Sequence, residues 1–344
     1  MKKEIIVQTN MQSYPITIGK LNSLKFKDKS VMLITSKNIA TLYLDYVLSL
    51  IQAQSIHTCI VDDSEINKDM KNIDIILEYA FKNKLNRNSL MIALGGGVIT
   101  DMVGFASGIF QRGIDFISIP TTLLAMVDAS VGGKCGVNNE YGKNLIGLFH
   151  QPKQVFVDTM FLRTLSEREL HAGIAEIIKI FACFDYVLLQ DFTLRDLEFH
   201  IIQSIHLKAY IVGQDEKERH GLRALLNYGH TFGHAIELEN NFNEFLHGEA
   251  VSMGIVMANR LSVKLGLLSE DVENFICSLL DRIGLPTHYK IKNIDSFYQS
   301  FFYDKKSLDS KLHFVLLESK ESIKATIHND IDKAVIYEVL HEFA

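Results

Sequence analysis

The chain has 344 residues, of which 47% are hydrophobic and 22% charged, and its formal net charge is -6. A length of this order indicates two domains, and the composition is that of a globular protein. The negative charge disfavours a nucleic-acid-binding protein, because such proteins need a basic excess to neutralise phosphates. Four scattered cysteines indicate reduced thiols. Neither a signal peptide nor an apolar run long enough to span a membrane is recognisable, so we expect a cytoplasmic protein.

The first half of the chain alternates short apolar runs with helical patterns. Helices are predicted over residues 38–54 and 67–83. The predicted strands are residues 31–35, 56–61, 90–94, 116–120 and 155–157. Alternation of this kind is typical of a mainly parallel α/β sheet.

After about residue 165 helical patterns dominate. The predicted helices are residues 166–180, 197–214, 229–238, 248–265 and 269–283, followed by two short strands at 313–317 and 323–327 and a terminal helix from residue 331. Gly284 and Pro286 form a stop signal after the fifth helix. We therefore predict an α/β domain over residues 1–165 and a mainly helical domain over residues 166–344, with the active site in a cleft between them.

A glycine-rich turn, residues 95–101, follows a predicted strand and opens a helix. Glycines let the backbone approach a pyrophosphate, and a helix N-terminus offers unpaired N–H groups. Thr100 takes the third glycine position of the GxGxxG pattern, so the spacing leaves both dinucleotide binding and a purely structural turn open. The acidic segment 62–68 after the preceding strand could bind a ribose hydroxyl or form a polar, helix-capping loop.

A second glycine-rich stretch, residues 128–144, carries Asp128, Lys134, Lys143 and Asn144. Lysines on such loops suit the capture of an anion. The alternative is a solvated surface loop, and the apolar flanking residues favour the binding role.

Three histidines occur within a short segment of the second half. His230 and His234 stand four residues apart and share a helical face, and His247 follows. Glu176 lies on an earlier predicted helix, three residues before Lys179. Imidazoles and a carboxylate are ligands for Zn²⁺ or a similar ion. Spacing alone assigns both His230 and His234 to the metal.

Taken together, these residues resemble the 3-dehydroquinate synthase family over nearly the whole chain. The matching stretches are residues 95–101, 111–113, 120–122, 128–134, 142–144, 175–179, 226–237, 247–250 and 304–306. The resemblance implies a Rossmann-like N-terminal domain that holds NAD and a helical C-terminal domain that holds Zn²⁺ or Co²⁺. Cys135 departs from the threonine usual in the family, and Thr100 replaces a small residue. Both departures concern nucleotide contacts.

The resemblance also implies individual roles. It places the metal on Glu176, His230 and His247, and turns His234 towards the substrate phosphate. Arg112 matches an arginine that reaches the partner's site in a homodimer. The other substrate positions it implies are Asp128, Lys134, Lys143, Asn144, Lys179, Arg223, Asn227 and one of Lys305 and Lys306. The nucleotide positions it implies are Asp63, Glu65, Lys68, Gly97, Val98, Ile99, Thr100, Asp101, Thr121, Thr122, Lys134, Lys143, Phe161, Leu162, Arg163 and Thr164.

The family's reaction converts 3-deoxy-D-arabino-heptulosonate 7-phosphate to 3-dehydroquinate and phosphate, in the shikimate pathway to aromatic amino acids. It proceeds by transient NAD-dependent oxidation, phosphate β-elimination, re-reduction and intramolecular aldol closure, with no net oxidation. Three alternatives stay open at this point. They are a metal- and NAD-dependent polyol dehydrogenase, a cyclase acting on another sugar phosphate, and a catalytically silent nucleotide-binding protein.

Overall fold

The computed structural model describes residues 2–10, 12–241, 243–302, 312–319 and 322–344. The chain forms two compact units. The first comprises Met1–Leu165 and Lys208–Lys217, and the second comprises Ser166–Leu207 and Glu218–Ala344. Among the helices formed by the described residues, none combines the length and the apolar character needed to cross a membrane.

The first unit is built on a seven-stranded sheet. The strands of this unit are β1 (Lys3–Gln8), β2 (Ser13–Ile18), β3 (Leu24–Ser36), β4 (Ile51–Val61), β5 (Leu90–Gly95), β6 (Asp115–Pro120), β7 (Lys134–Asn139), β8 (Gly142–Phe149) and β9 (Gln154–Val157). Of these, β7 and β8 form a separate hairpin, and the other seven form the sheet. Its helices are α1 (Lys37–Leu50), α2 (Met70–Lys82) and α3 (Gly97–Ile109). The sheet order is β1-β2-β9-β6-β5-β3-β4, and only the β1–β2 pair is antiparallel. The predicted, mainly parallel α/β sheet is thus confirmed.

The order of the strands creates a switch point between β3 and β5. From β3 the chain passes through α1 to β4 on one side, and β5 then lies on the other side of β3. Ligands of open α/β sheets bind outside the carboxyl ends of the strands at such a point. The residues that end these two strands are Ser36 and Gly95, and Gly95 leads directly into the glycine-rich turn.

The first predicted helix is wrong at its C-terminal end. It stops at Leu50 rather than at residue 54, and Ile51 begins β4. Ile51 pairs with Leu24 and Gln52 with Lys25, so this segment is part of a strand of the sheet. Local helical spacing was overridden by strand pairing, which only the tertiary structure supplies.

The glycine-rich stretch 128–144 is only partly a loop. Residues from Lys134 onward form β7, which pairs with β8 in an antiparallel hairpin. A Cβ atom on Gly136 would lie 2.8 Å from the carbonyl oxygen of Ile146, and one on Gly147 would lie 2.6 Å from that of Cys135. Gly136 in this stretch and Gly147 just beyond it therefore permit close pairing of the two strands.

The second unit is mainly helical. Its elements are α4 (Glu167–Phe184), α5 (Tyr186–Gln190), α6 (Leu197–Gln214), α7 (His230–Glu239), α8 (His247–Lys264), α9 (Glu270–Ile283), α10 (Ile294–Ser300), β10 (His313–Glu318), β11 (Lys324–Asn329) and α11 (Lys333–Glu342). The end of α6, from Lys208, belongs to the first unit. Ser166 caps α4 by accepting from Glu169 N, and Gly284 ends α9 in the left-handed conformation. The predicted helices in this half are confirmed, with small shifts at their ends.

Candidate active site

The glycine-rich turn joins β5 to α3 in a space that larger residues would not fit. A Cβ atom on Gly95 would lie 2.7 Å from the Cβ of Ile99, and one on Gly96 would lie 3.1 Å from Cγ2 of Thr122. Thr100 is buried, and its hydroxyl donates to the carbonyl of Gly97 over 2.9 Å. The threonine in place of the third glycine therefore fits this turn. The N-terminus of α3 lies at its end, at the switch point of the sheet.

A buried lysine, Lys68, is hydrogen-bonded both to this turn and to the β7–β8 hairpin. Lys68 is 4% exposed, and its ammonium donates to Asp101 Oδ2 and to Asn144 Oδ1, each over 2.5 Å. Burial lowers the pKa of Lys68, but the carboxylates of Asp101 and Glu65 outweigh it and hold that pKa above its usual value. The lysine therefore stays charged. Lys143 lies 3.9 Å from the Glu65 carboxylate. The structure thus brings together five residues that the family resemblance had implied.

The other residues that the resemblance implies for nucleotide binding make contacts outside this network. The Thr122 hydroxyl accepts from Ala125 N over 3.2 Å, and Thr121 is buried. The ring of Phe161 packs edge-on against Tyr43 at 4.8 Å, and the Thr164 hydroxyl is hydrogen-bonded to the Tyr43 hydroxyl. The remaining positions differ in exposure: Arg163 is exposed, whereas Asp63, Val98 and Leu162 are half-buried and Ile99 is buried.

Asp128 lies in a short π-helical segment, Ala125–Ala129, and is paired with Lys208. The Lys208 ammonium also donates to the backbone carbonyl of Asp128 over 2.7 Å, and Lys208 is 5% exposed. Sequence reasoning missed this lysine. Its signal was a single lysine among the apolar residues in the second half of α6. Lys134, at the start of β7, is exposed.

A cluster of possible metal ligands forms where α4, α7 and α8 meet. His230 and His247 are the first residues of α7 and α8. Their Nε2 atoms lie 3.8 and 3.5 Å from Oε1 of Glu176, which is 2% exposed. One ligand atom from each residue falls within 4.8 Å of the others. No described group donates a hydrogen bond of normal geometry to Oε1 of Glu176. Two imidazoles facing a buried, unsatisfied carboxylate oxygen fit a zinc-type ion.

A second group shares His247 with the first. His234, Glu237 and His247 also offer ligand atoms within 4.8 Å of one another. Oε1 of the buried Glu237 lies 3.3 Å from Nδ1 of His247, while the opposite nitrogen of this ring faces Glu176. Sequence reasoning gave Glu237 no role. Its position seven residues after His230, on the same face of α7, was the available signal.

The neighbouring charges shift the pKa values of His230 and His247 in opposite directions. Burial and then the Lys179 ammonium lower the pKa of His230 to about 3, so its ring is neutral and can coordinate. Burial also lowers the pKa of His247, but the carboxylates of Glu237 and Glu176 raise it to about 10. A metal must therefore displace a proton from His247. Lys179 forms a buried ion pair with Glu176 and, against the effect of burial, holds the pKa of Glu176 well below its usual value.

The remaining site residues lie in other parts of the two units. Arg223 is buried in the 3₁₀ turn before α7, and the side-chain amide of Asn227 donates to Glu218 over 3.1 Å. Arg112 is exposed with φ 70°, next to Gln111 with φ 53°, and both values are uncommon for residues other than glycine. Lys305 and Lys306 lie outside the described residues.

Solved proteins share this architecture. A 2-deoxy-scyllo-inosose synthase complexed with carbaglucose-6-phosphate, NAD⁺ and Co²⁺ is 25% identical with a TM-score of 0.85, over 99% of this chain and 100% of that one. A probable glycerol dehydrogenase from Sinorhizobium meliloti, 14% identical, has a TM-score of 0.62 over 92% of this chain and 90% of that one, and shows the fold alone. The fold thus defines a class of proteins with a Rossmann-like unit and a helical unit, which includes synthases and dehydrogenases.

Family models and relatives narrow the class. The model of the 3-dehydroquinate synthase N-terminal region matches residues 58–172, and that of the C-terminal region matches residues 173–307. The 3-dehydroquinate synthase of Helicobacter hepaticus is 53% identical over 100% of this chain and 99% of that protein. That of Wolinella succinogenes is 48% identical over 99% of each. The chain belongs to the 3-dehydroquinate synthase family of lyases, as the sequence resemblance predicted.

Proposed function

We propose that this chain converts 3-deoxy-D-arabino-heptulosonate 7-phosphate to 3-dehydroquinate and phosphate, as a step of the shikimate pathway. The observation that carries the proposal is the convergence of Glu176, His230 and His247 in a chain of this family. Similar solved structures contain NAD⁺ with Co²⁺ or with Zn²⁺. These structures support NAD and one such divalent ion as the cofactors here.

In this proposal Glu176, His230 and His247 hold the metal, which supplies Lewis acidity to the carbon–oxygen group that is oxidised. His234 faces the substrate phosphate. Lys179, which is paired with Glu176, binds the substrate. The second unit thus has the metal-binding role, and the first has the nucleotide-binding role.

The glycine-rich turn and the N-terminus of α3 bind the pyrophosphate of NAD in this proposal. Asp101 and Lys68 hold that turn against Asn144 of the hairpin. The substrate is bound by lysines and polar groups. These are Lys134, Lys143, Asn144, Arg223, Asn227 and one of Lys305 and Lys306, with Asp128 as a further carboxylate of the site. Their task is positioning, because the substrate's own phosphate can act as the base in the elimination.

We further propose a homodimer in which Arg112 enters the partner's site, and a cytoplasmic location. The exposure of Arg112 supports the first proposal. The four cysteines support the second, because all of them are unbridged thiols, as in a reducing compartment.

The test is an assay with the heptulosonate phosphate and a small, catalytic amount of NAD. We expect equal amounts of phosphate and 3-dehydroquinate, identified by mass spectrometry, without accumulation of NADH. His247→Ala provides the negative control. Net NADH formation on a polyol would instead identify a dehydrogenase, and turnover of a different sugar phosphate alone would identify another cyclase.

A further inference from the structure

The first turn of α8 begins with His247, and its cap is provided by Glu249. Leu246 is the N-cap residue, and a leucine side chain cannot accept a hydrogen bond from the helix. The backbone N–H of Leu246 instead donates to Oε2 of Glu249 over 2.8 Å. The direction in which the chain enters α8 therefore depends on where the Glu249 carboxylate is held.

Arg168, in the first turn of α4, holds that carboxylate at two points. Its Nε donates to Oε1 of Glu249 and its Nη2 donates to Oε2, each over 2.7 Å. Nη2 also donates to the carbonyl of Glu244, in the segment before α8, over 2.9 Å. A bidentate, charge-assisted pair fixes the orientation of both partners more firmly than a single contact does.

Successive turns of α4 face the start of α8. Arg168, Ala172 and Glu176 are spaced four residues apart and share one face of α4. Gly248 meets the middle of this face, because a Cβ atom on Gly248 would lie 1.9 Å from the carbonyl oxygen of Ala172. The two helices therefore approach as closely as their backbones allow.

The same approach sets the distance between two proposed metal ligands. Glu176 lies one turn beyond Ala172 on α4, and its Oε1 is 3.5 Å from Nε2 of His247. The Arg168–Glu249 pair is on the other side of Ala172, two turns before Glu176. A displacement of the α8 N-terminus at this pair would therefore move His247 relative to Glu176.

We propose that Arg168, through Glu249, positions His247 for metal binding. The inference rests on the metal site proposed above. An ordinary surface ion pair adds little to stability and leaves a distant site unchanged. This pair differs, because Glu249, although its partner Arg168 is 56% exposed, is itself 13% exposed and also caps the helix that starts with the ligand. Arg168 and Glu249 are thus positioning residues and touch neither substrate nor metal.

The test compares metal binding in the whole chain and in two variants of Arg168. Affinity for Co²⁺ is measured by competition with a chelator, together with the visible absorption of the bound ion. We expect Arg168→Ala to lower the Co²⁺ affinity about tenfold or more and to change the spectrum. Arg168→Lys keeps the charge and should recover part of the affinity.

The alanine variant is expected to fold. A cavity of about 310 Å³ is lined by Arg168, Glu249 and His171, so water can replace the lost guanidinium. Arg260→Ala is the matched control. Arg260 lies on α8, thirteen residues beyond His247, and pairs with Glu342. That spacing is roughly 20 Å along the helix, so this variant should bind Co²⁺ as the wild type does.

The possible results distinguish the positioning role of Arg168 from the metal site on which that role depends. Unchanged Co²⁺ affinity and spectrum in a folded Arg168→Ala protein would overturn the positioning role alone. An equal loss in Arg260→Ala would overturn it too, since general weakening of α8 would then explain the effect. A wild-type chain that binds no metal would overturn the proposed metal site itself. Circular dichroism of each variant checks the fold.

Discussion

At the residue scale, the two histidines of α7 have different neighbours although they share one helical face. The His230 ring faces Glu176, whereas His234 is grouped with Glu237 and His247. Ring centroids of His234 and His247 are 6.0 Å apart, and those of His230 and His247 are 5.2 Å apart. A carboxylate from another helix therefore distinguishes two residues that helical spacing treats alike.

This difference predicts separate effects of two substitutions. His247→Ala should lose bound metal and activity together, because it removes the ring that lies between Glu176 and Glu237. His234→Ala should keep its metal and lose turnover. Metal content after gel filtration and phosphate release measure the two effects. An empty His234→Ala protein beside a loaded His247→Ala protein would reverse the assignment.

At the scale of elements, the hairpin and α3 are in close contact at a glycine. A Cβ atom on Gly104 would lie 2.2 Å from Sγ of Cys135 in β7, and 3.1 Å from its Cβ. The contact holds the hairpin against the helix that opens at the glycine-rich turn.

Gly104→Ala should therefore destabilise the protein by about 1–3 kcal/mol, because overpacking outweighs the better helix propensity of alanine. In a Cys135→Ala background the cost should be smaller, because the nearest atom has been removed. Urea denaturation of both single variants and the double variant measures the coupling. Additive effects would contradict the proposed clash.

At the scale of the whole molecule, the first unit takes a segment from the second half of the chain. Residues 208–217 belong to it, and Lys208 binds Asp128 while Glu216 accepts from Gln151 over 2.9 Å. Gly213 lies against β1, where a Cβ atom would be 2.7 Å from the carbonyl oxygen of Gln8. The chain thus returns to its first unit after α4 and α5 have formed part of the second.

The proposed homodimer predicts complementation between two inactive variants. Arg112→Ala lacks the arginine that its partner's site needs, and Lys179→Met lacks a group of its own site. A mixed dimer of the two contains one complete site. Random reassociation of equal amounts should therefore restore about a quarter of the wild-type activity. A mixture that exchanges subunits, shown by mass spectrometry, yet stays inactive would place Arg112 in its own chain's site.

Much of the fold was predictable from the sequence because the evidence for it is local. Apolar runs ending at Gly95 and Pro120 marked buried strands, and Ser269 and Gly284 bounded α9. These signals depend on side chains and backbone angles within a few residues. The family was also predictable, because motifs spread along the chain had to match together.

The tertiary structure decided what depends on distant partners. The segment after Leu50 became a strand because β3 pairs with it, and Lys208 joined the first unit through Asp128. Spacing grouped His230 with His234, but the position of Glu176 is set by the approach of α4 to Gly248. That approach is a contact between helices, which periodicity along one chain cannot encode. The sequence therefore determined the types of the candidate ligands, and the packing of α4 against α8 decided which of them meet.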